Sequence, residues 1–218
     1  MKRFGAIFDW DGVIIDSSRH HEESWERLSA EIGKPLPEGH FKRGFGMKNE
    51  WIIPNLLKWS NEVEEVAALS LRKEALYREV VADWGIEALP GVVDWLETLK
   101  AAGIPRVIGS STHRLNIETT LDRLGLRDAF DDIVCAEDVT AGKPDPQVFL
   151  KASSKAGIAP ELCVVFEDAH VGIEAAQRAG MRVIAVATTN PIEELGKADL
   201  AVHSLAELSM ERVANLFA

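Results

Sequence analysis

The sequence contains few cysteines, no long apolar run and too few basic residues to balance its acidic ones. Its two cysteines, Cys135 and Cys163, each lie inside an apolar run, so we expect reduced core side chains rather than a disulfide or a metal pair. No window approaches the ~20 apolar residues that a membrane helix needs. The apolar stretch that follows Lys2 and Arg3 is interrupted by Asp9, too early for an export signal, and we therefore expect a cytoplasmic protein.

The charge balance of the chain argues against nucleic acid as a partner. There are 24 lysines and arginines against 35 aspartates and glutamates, a net charge of −11. Because binding to a phosphate backbone requires a basic face, this composition excludes nucleic-acid recognition as the main activity. Any anion site must then be built locally, from a few basic side chains and backbone N–H groups.

Short apolar runs alternate with helix-patterned segments along most of the 218 residues. Strands are predicted at 4–8, 106–109, 132–136, 163–166, 182–187 and 199–202. They are continuously apolar, as expected for strands buried on both faces of a parallel sheet. Residues 17–84 show helical spacing without a convincing strand. The pattern predicts an α/β fold, with a Rossmann-like parallel sheet core flanked by helices (1–16 and 85–218) and an inserted all-helical domain (17–84).

Polar side chains follow several of the predicted strands. Asp9 and Asp11 follow the first, Ser110 follows the second, and Glu167 and Asp168 follow the fourth. Ligands of open α/β sheets bind at this carboxyl edge. The carboxylates of DWDG are two residues apart and need a cation or a shared proton to relieve their repulsion. Oxygen ligands alone suit Mg²⁺ better than Zn²⁺, so a magnesium site is predicted here.

Two further positions complete a site for phosphoryl transfer. Lys143 lies in AGKPDP, where Pro144 and Pro146 predict a rigid turn that presents its ammonium to an anion. Ser110 opens a strand-to-helix turn, where its hydroxyl can face a phosphate or cap the next helix. A carboxylate can act as the nucleophile, while Asp11 protonates the leaving oxygen and then deprotonates water.

The ordered motifs hhhhDxDGVhhDS, hhGSS, GKPDP and hhFEDAhxGIxAA resemble those of the haloacid dehalogenase-like hydrolase superfamily. Within it, the chain is most similar to the β-phosphoglucomutase and phosphoglycolate phosphatase branch, whose helical cap is inserted after the first strand. The resemblance implies that Asp9 is the nucleophile and that Asp11 is the general acid and base. It also implies that Ser110 and Lys143 bind the phosphate. The implied Mg²⁺ ligands are Asp9, the backbone carbonyl of Asp11, Asp168 and Glu167; Glu167 could instead support another ligand.

The same resemblance implies a cap that closes over the site and carries the specificity. The predicted substrate-binding residues are His21, Trp25, Gly46, Lys48, Asn49 and Lys73 in the cap, with Ser111, Thr112 and Arg114 in the core. Without the resemblance, the pattern alone favours solvated lysines at Lys48 and Lys73. His20 and His21 lie about 100° apart on a predicted helix, so at most one of them faces the site.

Asn49 is a departure from the mutases of that branch. Where their loop carries an arginine that holds a second phosphate, this chain has a neutral side chain that cannot make a bidentate charged contact. Lys48 beside it could partly substitute. The leading hypothesis is therefore a Mg²⁺-dependent phosphatase, monomeric, that acts on a small phosphorylated, sugar-like metabolite. The alternatives are a β-phosphoglucomutase-type mutase and a non-catalytic metabolite-binding domain.

Overall fold

The computed structural model describes residues 4–44 and 47–218, which form a six-stranded parallel sheet with helices on both faces. The sheet order is β3-β2-β1-β4-β5-β6, and every neighbouring pair is parallel. The predicted α/β fold is thereby confirmed, with strand ends that differ from the prediction by a residue or two. The strands are β1 (Gly5–Phe8), β2 (Arg106–Gly109), β3 (Asp132–Val134), β4 (Cys163–Glu167), β5 (Arg182–Val186) and β6 (Leu200–Val202).

Helices occupy the connections between the strands. The α-helices are α1 (Ser18–Ile32), α2 (His40–Gly44), α3 (Asn49–Trp51), α4 (Val63–Trp84), α5 (Val92–Ala101), α6 (Arg114–Leu124), α7 (Gln147–Ala156), α8 (His170–Arg178) and α9 (Met210–Ala214). A π-helical turn at Ile52–Leu57 follows α3 directly. No helix within 4–44 and 47–218 has the length and apolarity needed to cross a membrane.

The central strands are apolar throughout because each face of the sheet packs against helices. Successive side chains of a strand point to opposite faces. Phe8 and Phe166 therefore share one core with Trp95 of α5, and their rings stack with centroids 4.4 Å apart. Ile7 lies in the core on the other face with Phe149 of α7. Both cysteines are free and buried, as expected.

The insertion between β1 and β2 holds α1 to α4, and its described residues contain no strand. It has an apolar cluster of its own, which includes Trp25, Leu28, Ile53, Trp59 and Leu76. The rings of Trp25 and Trp59 meet edge to face at 5.9 Å. This separate core agrees with a distinct helical cap; its boundaries at 17 and 84 remain a prediction.

Candidate active site

The polar residues that follow the central strands converge on one cavity, between the carboxyl edge of the sheet and the helical insertion. Asp9 directly follows β1, Ser110 follows β2, and Glu167 ends β4 with Asp168 next to it. Lys143 joins them from the loop that leads into α7. All five side chains line the cavity, as does Asp11, so the residues predicted for catalysis and metal binding are brought together in one place.

Lys143 is a buried ammonium held between two carboxylates. Its Nζ lies 3.0 Å from Asp9 Oδ1 and 2.6 Å from Glu167 Oε1. Burial would lower the pKa of Lys143, but the two carboxylates outweigh it and raise that pKa. The other oxygen of Glu167 accepts the backbone N–H groups of Asp168 and Ala169, each at 2.8 Å. Both oxygens of Glu167 are thus engaged, which fixes the lysine beside Asp9.

Negative charge is crowded at this point. Burial raises the pKa of Asp9 to about 7, Lys143 opposes that rise, and Glu167 and Asp11 add to it. Burial also raises the pKa of Asp168 well above its usual value, with further contributions from Glu167 and Asp9. Carboxylates in this setting are relieved by a bound cation.

The donor atoms fit a magnesium ion. Ligand oxygens of Asp9, Glu167 and Asp168 lie within 4.8 Å of one another, and all three residues are buried. Within the described residues, Oδ1 of Asp168 is buried without a hydrogen-bond partner, while its Oδ2 accepts the hydroxyl of Thr189. Oxygen donors with one oxygen left unpaired suit a hard divalent cation. Asp9 and Asp168 offer the less engaged oxygens, since those of Glu167 already accept hydrogen bonds.

Asp11 lies near this cluster, but its carboxylate has different neighbours. It accepts the hydroxyls of Ser17 and Thr112, and His21 Nε2 lies 3.5 Å from its Oδ1. Burial would raise the pKa of Asp11, yet these contacts, led by His21, lower it to about 2. The carboxylate therefore faces the insertion, where a group that exchanges protons with a leaving oxygen is expected.

A turn at Gly12 directly follows the two aspartates. Gly12 has φ of 77°, a backbone conformation that favours glycine. A Cβ atom at this position would also lie 1.9 Å from Oδ2 of Asp168. The residue that follows DWD must therefore be glycine for the β1 and β4 loops to approach each other.

The insertion contributes five of its predicted residues to the cavity: His21, Trp25, Lys48, Asn49 and Lys73. The alternative of a solvated Lys73 is wrong, since that residue is only 3% exposed. Its Nζ lies 2.6 Å from Nδ1 of His21 and donates to Glu74 Oε1 at 3.0 Å. His20 instead contacts the carbonyl of Gly85 at 2.7 Å, so one histidine of the pair faces the site, as expected.

Lys48 joins the insertion to the sheet domain. Its Nζ donates to the carbonyls of Ala136 and Val139 at 3.0 and 3.1 Å. Its aliphatic stem lies over Gly142, where a Cβ atom would be 3.4 Å from Lys48 Cγ. The ammonium is thus bound to the loop that leads to Lys143 rather than extending freely into solvent.

Other predicted positions have mixed outcomes. Ser111 and Thr112 line the cavity, whereas Gly46 lies outside the described residues. Arg114 is not among the lining residues, contrary to the prediction of a substrate contact. As the first residue of α6, it places its guanidinium 2.7 Å from Asp138, which pairs with it outside the cavity.

Several residues of the site were not found from the sequence. His40, Glu50 and Glu74 also line the cavity, together with His113, for which the sequence left open a helix surface or the cavity wall. The position of Glu74 gave one indication in the sequence, because it lies four residues after Ser70 and therefore on the same face of the helix, which is buried. Thr189 supports Asp168, and the only signal for it was its place in the loop after β5, at the same edge of the sheet.

Comparisons with known proteins show similarity to one family of enzymes. A family model described as haloacid dehalogenase-like hydrolase matches residues 5–180. The chain is 38% identical over 209 residues to the chloroplastic 5-amino-6-(5-phospho-D-ribitylamino)uracil phosphatase of Arabidopsis thaliana, a match that covers 94% of this chain and 56% of that protein. This chain therefore spans little more than half the length of the plant enzyme.

Two further matches cover nearly the whole length of both proteins compared. The β-phosphoglucomutase of Bacillus subtilis is 33% identical over 214 residues, which are 94% of this chain and 92% of the mutase. The crystal structure of a HAD hydrolase, family IA, variant 3, from Entamoeba histolytica superposes with a TM-score of 0.89 at 30% identity, covering 98% of this chain and 99% of that one. The similar proteins thus include both a phosphatase and a mutase.

Proposed function

We propose that this chain, which belongs to the haloacid dehalogenase-like hydrolase family, is a Mg²⁺-dependent phosphatase that hydrolyses a small sugar-like phosphate through an aspartyl-phosphate on Asp9. The observation that carries the proposal is the position of Asp9, beside Lys143 and within 4.8 Å of Asp168 in one buried cavity. A nucleophile, a fixed cation and candidate metal ligands are the parts that phosphoryl transfer requires.

In the first step, a carboxylate oxygen of Asp9 attacks the phosphorus and the ester oxygen leaves. Lys143 offsets the charge of Asp9 and offers a donor to the phosphoryl group. The Ser110 hydroxyl accepts the backbone N–H of Thr112 at 3.2 Å, so its own hydrogen can point to a phosphoryl oxygen. Bound Mg²⁺, held by Asp9, Asp168 and Glu167 with the Asp11 carbonyl, would neutralise charge on the substrate and the carboxylates.

Asp11 is proposed to exchange the protons of both steps. With Ser17, Thr112 and His21 around it, the lowered pKa keeps Asp11 ionised, the state that a base needs to take a proton from water. Attack of that water on the phosphorus of phospho-Asp9 then releases inorganic phosphate. In the preceding step the same group must carry a proton, which the nearby anionic phosphoryl group favours by raising its pKa.

A metabolite panel with Mg²⁺ tests the reaction. Free phosphate should be released from at least one sugar or polyol monophosphate, and Asp9→Asn should abolish it while the protein stays folded. Asp94→Asn, at an exposed position of α5, is the matched control and should keep full activity. Substantial turnover by Asp9→Asn would contradict the covalent route. Asp11→Asn should still form phospho-enzyme from an aryl phosphate, detected after acid quench, but hydrolyse it slowly.

The mutase is the second candidate, because the Bacillus β-phosphoglucomutase is similar over nearly its whole length. An assay with β-glucose 1-phosphate and a trace of glucose bisphosphate separates the two. Conversion to glucose 6-phosphate without net free phosphate supports the mutase and refutes the phosphatase. A chain that releases no phosphate from any ester, an aryl phosphate included, would instead support a non-catalytic binding domain.

A further inference from the structure

The insertion half of the cavity contains a buried carboxylate that the proposed chemistry does not use. Glu74 of α4 lines the cavity and is 4% exposed. Its Oε1 accepts from Asn49 Nδ2 at 2.6 Å and from Lys73 Nζ at 3.0 Å. Its Oε2 accepts the side-chain amide of Asn116, which belongs to α6 of the sheet domain. Donors from three separate helices therefore fix this negative charge in the wall of the cavity.

The positive charges in the same half are already committed. Lys73 is bound to Glu74 and His21, and Lys48 is bound to the carbonyls of Ala136 and Val139. The residues within 4–44 and 47–218 that line the cavity include no arginine, and their third lysine pairs with carboxylates at the catalytic end. An anionic group that enters the insertion half would find no unpaired ammonium or guanidinium there.

The charge state of Glu74 follows from its neighbours. Burial would raise its pKa, but Lys73 and then His21 outweigh burial and lower it to about 2, so the carboxylate is ionised at neutral pH. Glu50 adds a second carboxylate to the lining. These oxygens accept hydrogen bonds from hydroxyl groups and repel a phosphate.

We propose that Glu74 is a specificity-determining residue that restricts the site to substrates with a single phosphate on an uncharged, polyhydroxylated body. It does so in two ways: it occupies the ammonium of Lys73, and it places a fixed negative charge in the insertion half of the cavity, which repels a second phosphate there. Asn49 contributes because its amide donates to Glu74 rather than to a ligand. This inference rests on the proposed function, since it concerns the substrate of that same site.

Binding measurements separate this inference from the reaction itself. In an Asp9→Asn background, which prevents turnover, calorimetry with Mg²⁺ would give the dissociation constants of glucose 6-phosphate and glucose 1,6-bisphosphate. We expect the bisphosphate to bind at least ~10-fold more weakly, and Glu74→Gln to reduce that ratio about 10-fold. Glu64→Gln, on the exposed first turn of the same helix, should leave the ratio unchanged.

A conservative variant shows whether charge or structure is responsible. Glu74→Asp keeps the charge and should retain the wild-type preference, even if its shorter side chain lowers stability. Equal binding of the two sugars by the chain with Glu74 intact would overturn the proposal, whatever the variants do. So would a ratio that Glu74→Gln leaves unchanged, or one that Glu74→Gln and Glu74→Asp reduce equally. Failure of the phosphatase panel, by contrast, would leave these binding constants measurable.

Discussion

A single methyl group at Gly172 is expected to break the buried arrangement around Lys143. Gly172 lies in the first turn of α8, directly behind the Glu167 carboxylate. A Cβ atom there would lie 1.7 Å from Glu167 Oε1 and 2.0 Å from its Cδ, far inside contact distance. Since a methyl group on a helix backbone cannot move away, the carboxylate must move instead.

The size of the effect follows from two opposing contributions. Alanine favours a helix over glycine by up to ~1 kcal/mol. Displacing Glu167 removes its 2.6 Å contact with Lys143 and its two 2.8 Å contacts with backbone N–H groups. Leaving a buried charge without its partner costs roughly 3–5 kcal/mol. We therefore expect Gly172→Ala to lower the free energy of unfolding by about 2–4 kcal/mol.

Urea denaturation at constant pH measures this change, as a lower midpoint with an unchanged slope. The matched control is Gly196→Ala, where a Cβ atom would meet nothing within 4 Å; its effect should stay within ~0.5 kcal/mol. Phosphatase activity should also fall in Gly172→Ala, because the shifted Glu167 no longer fixes Lys143 beside Asp9. If the two glycine variants proved equally stable and equally active, the reasoning about this contact would be refuted.

Three further predictions concern other contacts of the site. Lys48→Met removes both hydrogen bonds to the neighbouring loop, so it should lower the free energy of unfolding by ~1–3 kcal/mol in urea denaturation and raise KM. Lys42→Met, at an exposed position of α2, is the control and should change neither quantity. Equal effects of the two lysine variants would contradict this. Glu74 has a pKa lowered from 4.5 to about 2, so its stabilising contribution is present above pH ~4.5 and is lost as the pH falls towards 2. The difference in unfolding free energy between wild type and Glu74→Gln should therefore shrink as the pH is lowered over that interval. A difference that stays constant would contradict this prediction. Thr189→Val removes the hydroxyl that donates to Asp168 and should weaken the affinity for Mg²⁺ ~10–100-fold. Activity measured against Mg²⁺ concentration gives this affinity, and an unchanged value would contradict the prediction.

The sheet and the catalytic end of the site were predictable because they depend on local signals. A strand buried on both faces is apolar throughout, so each run marks a central strand. Parallel strands share one carboxyl edge, and this brings Asp9, Ser110 and Asp168 together without knowledge of any distance. Lys143 could be added from the two prolines that follow it and from the order of the motifs.

The insertion half was less predictable, because its contacts depend on how α4 packs against α6. Neither sequence segment shows that Glu74 meets Asn116, some 40 residues further along the chain. The sequence also does not show which groups the ammonium of Lys48 contacts, because a long lysine side chain can reach many backbone carbonyls. The prediction for Arg114 was wrong for a similar reason. The orientation of the first turn of α6, which the sequence does not give, determines whether its guanidinium enters the cavity or pairs with Asp138.

The apolar cluster around Trp25 contains residues of the insertion alone. The proposed specificity residues of the insertion and the proposed catalytic residues of the sheet domain therefore belong to parts of the chain that do not share a hydrophobic interior. Substitutions in the insertion can therefore change substrate specificity during evolution while the residues that bind and transfer the phosphoryl group stay the same. A mutagenesis library confined to the cavity-facing positions of α1 to α4 is the direct laboratory route to new specificities.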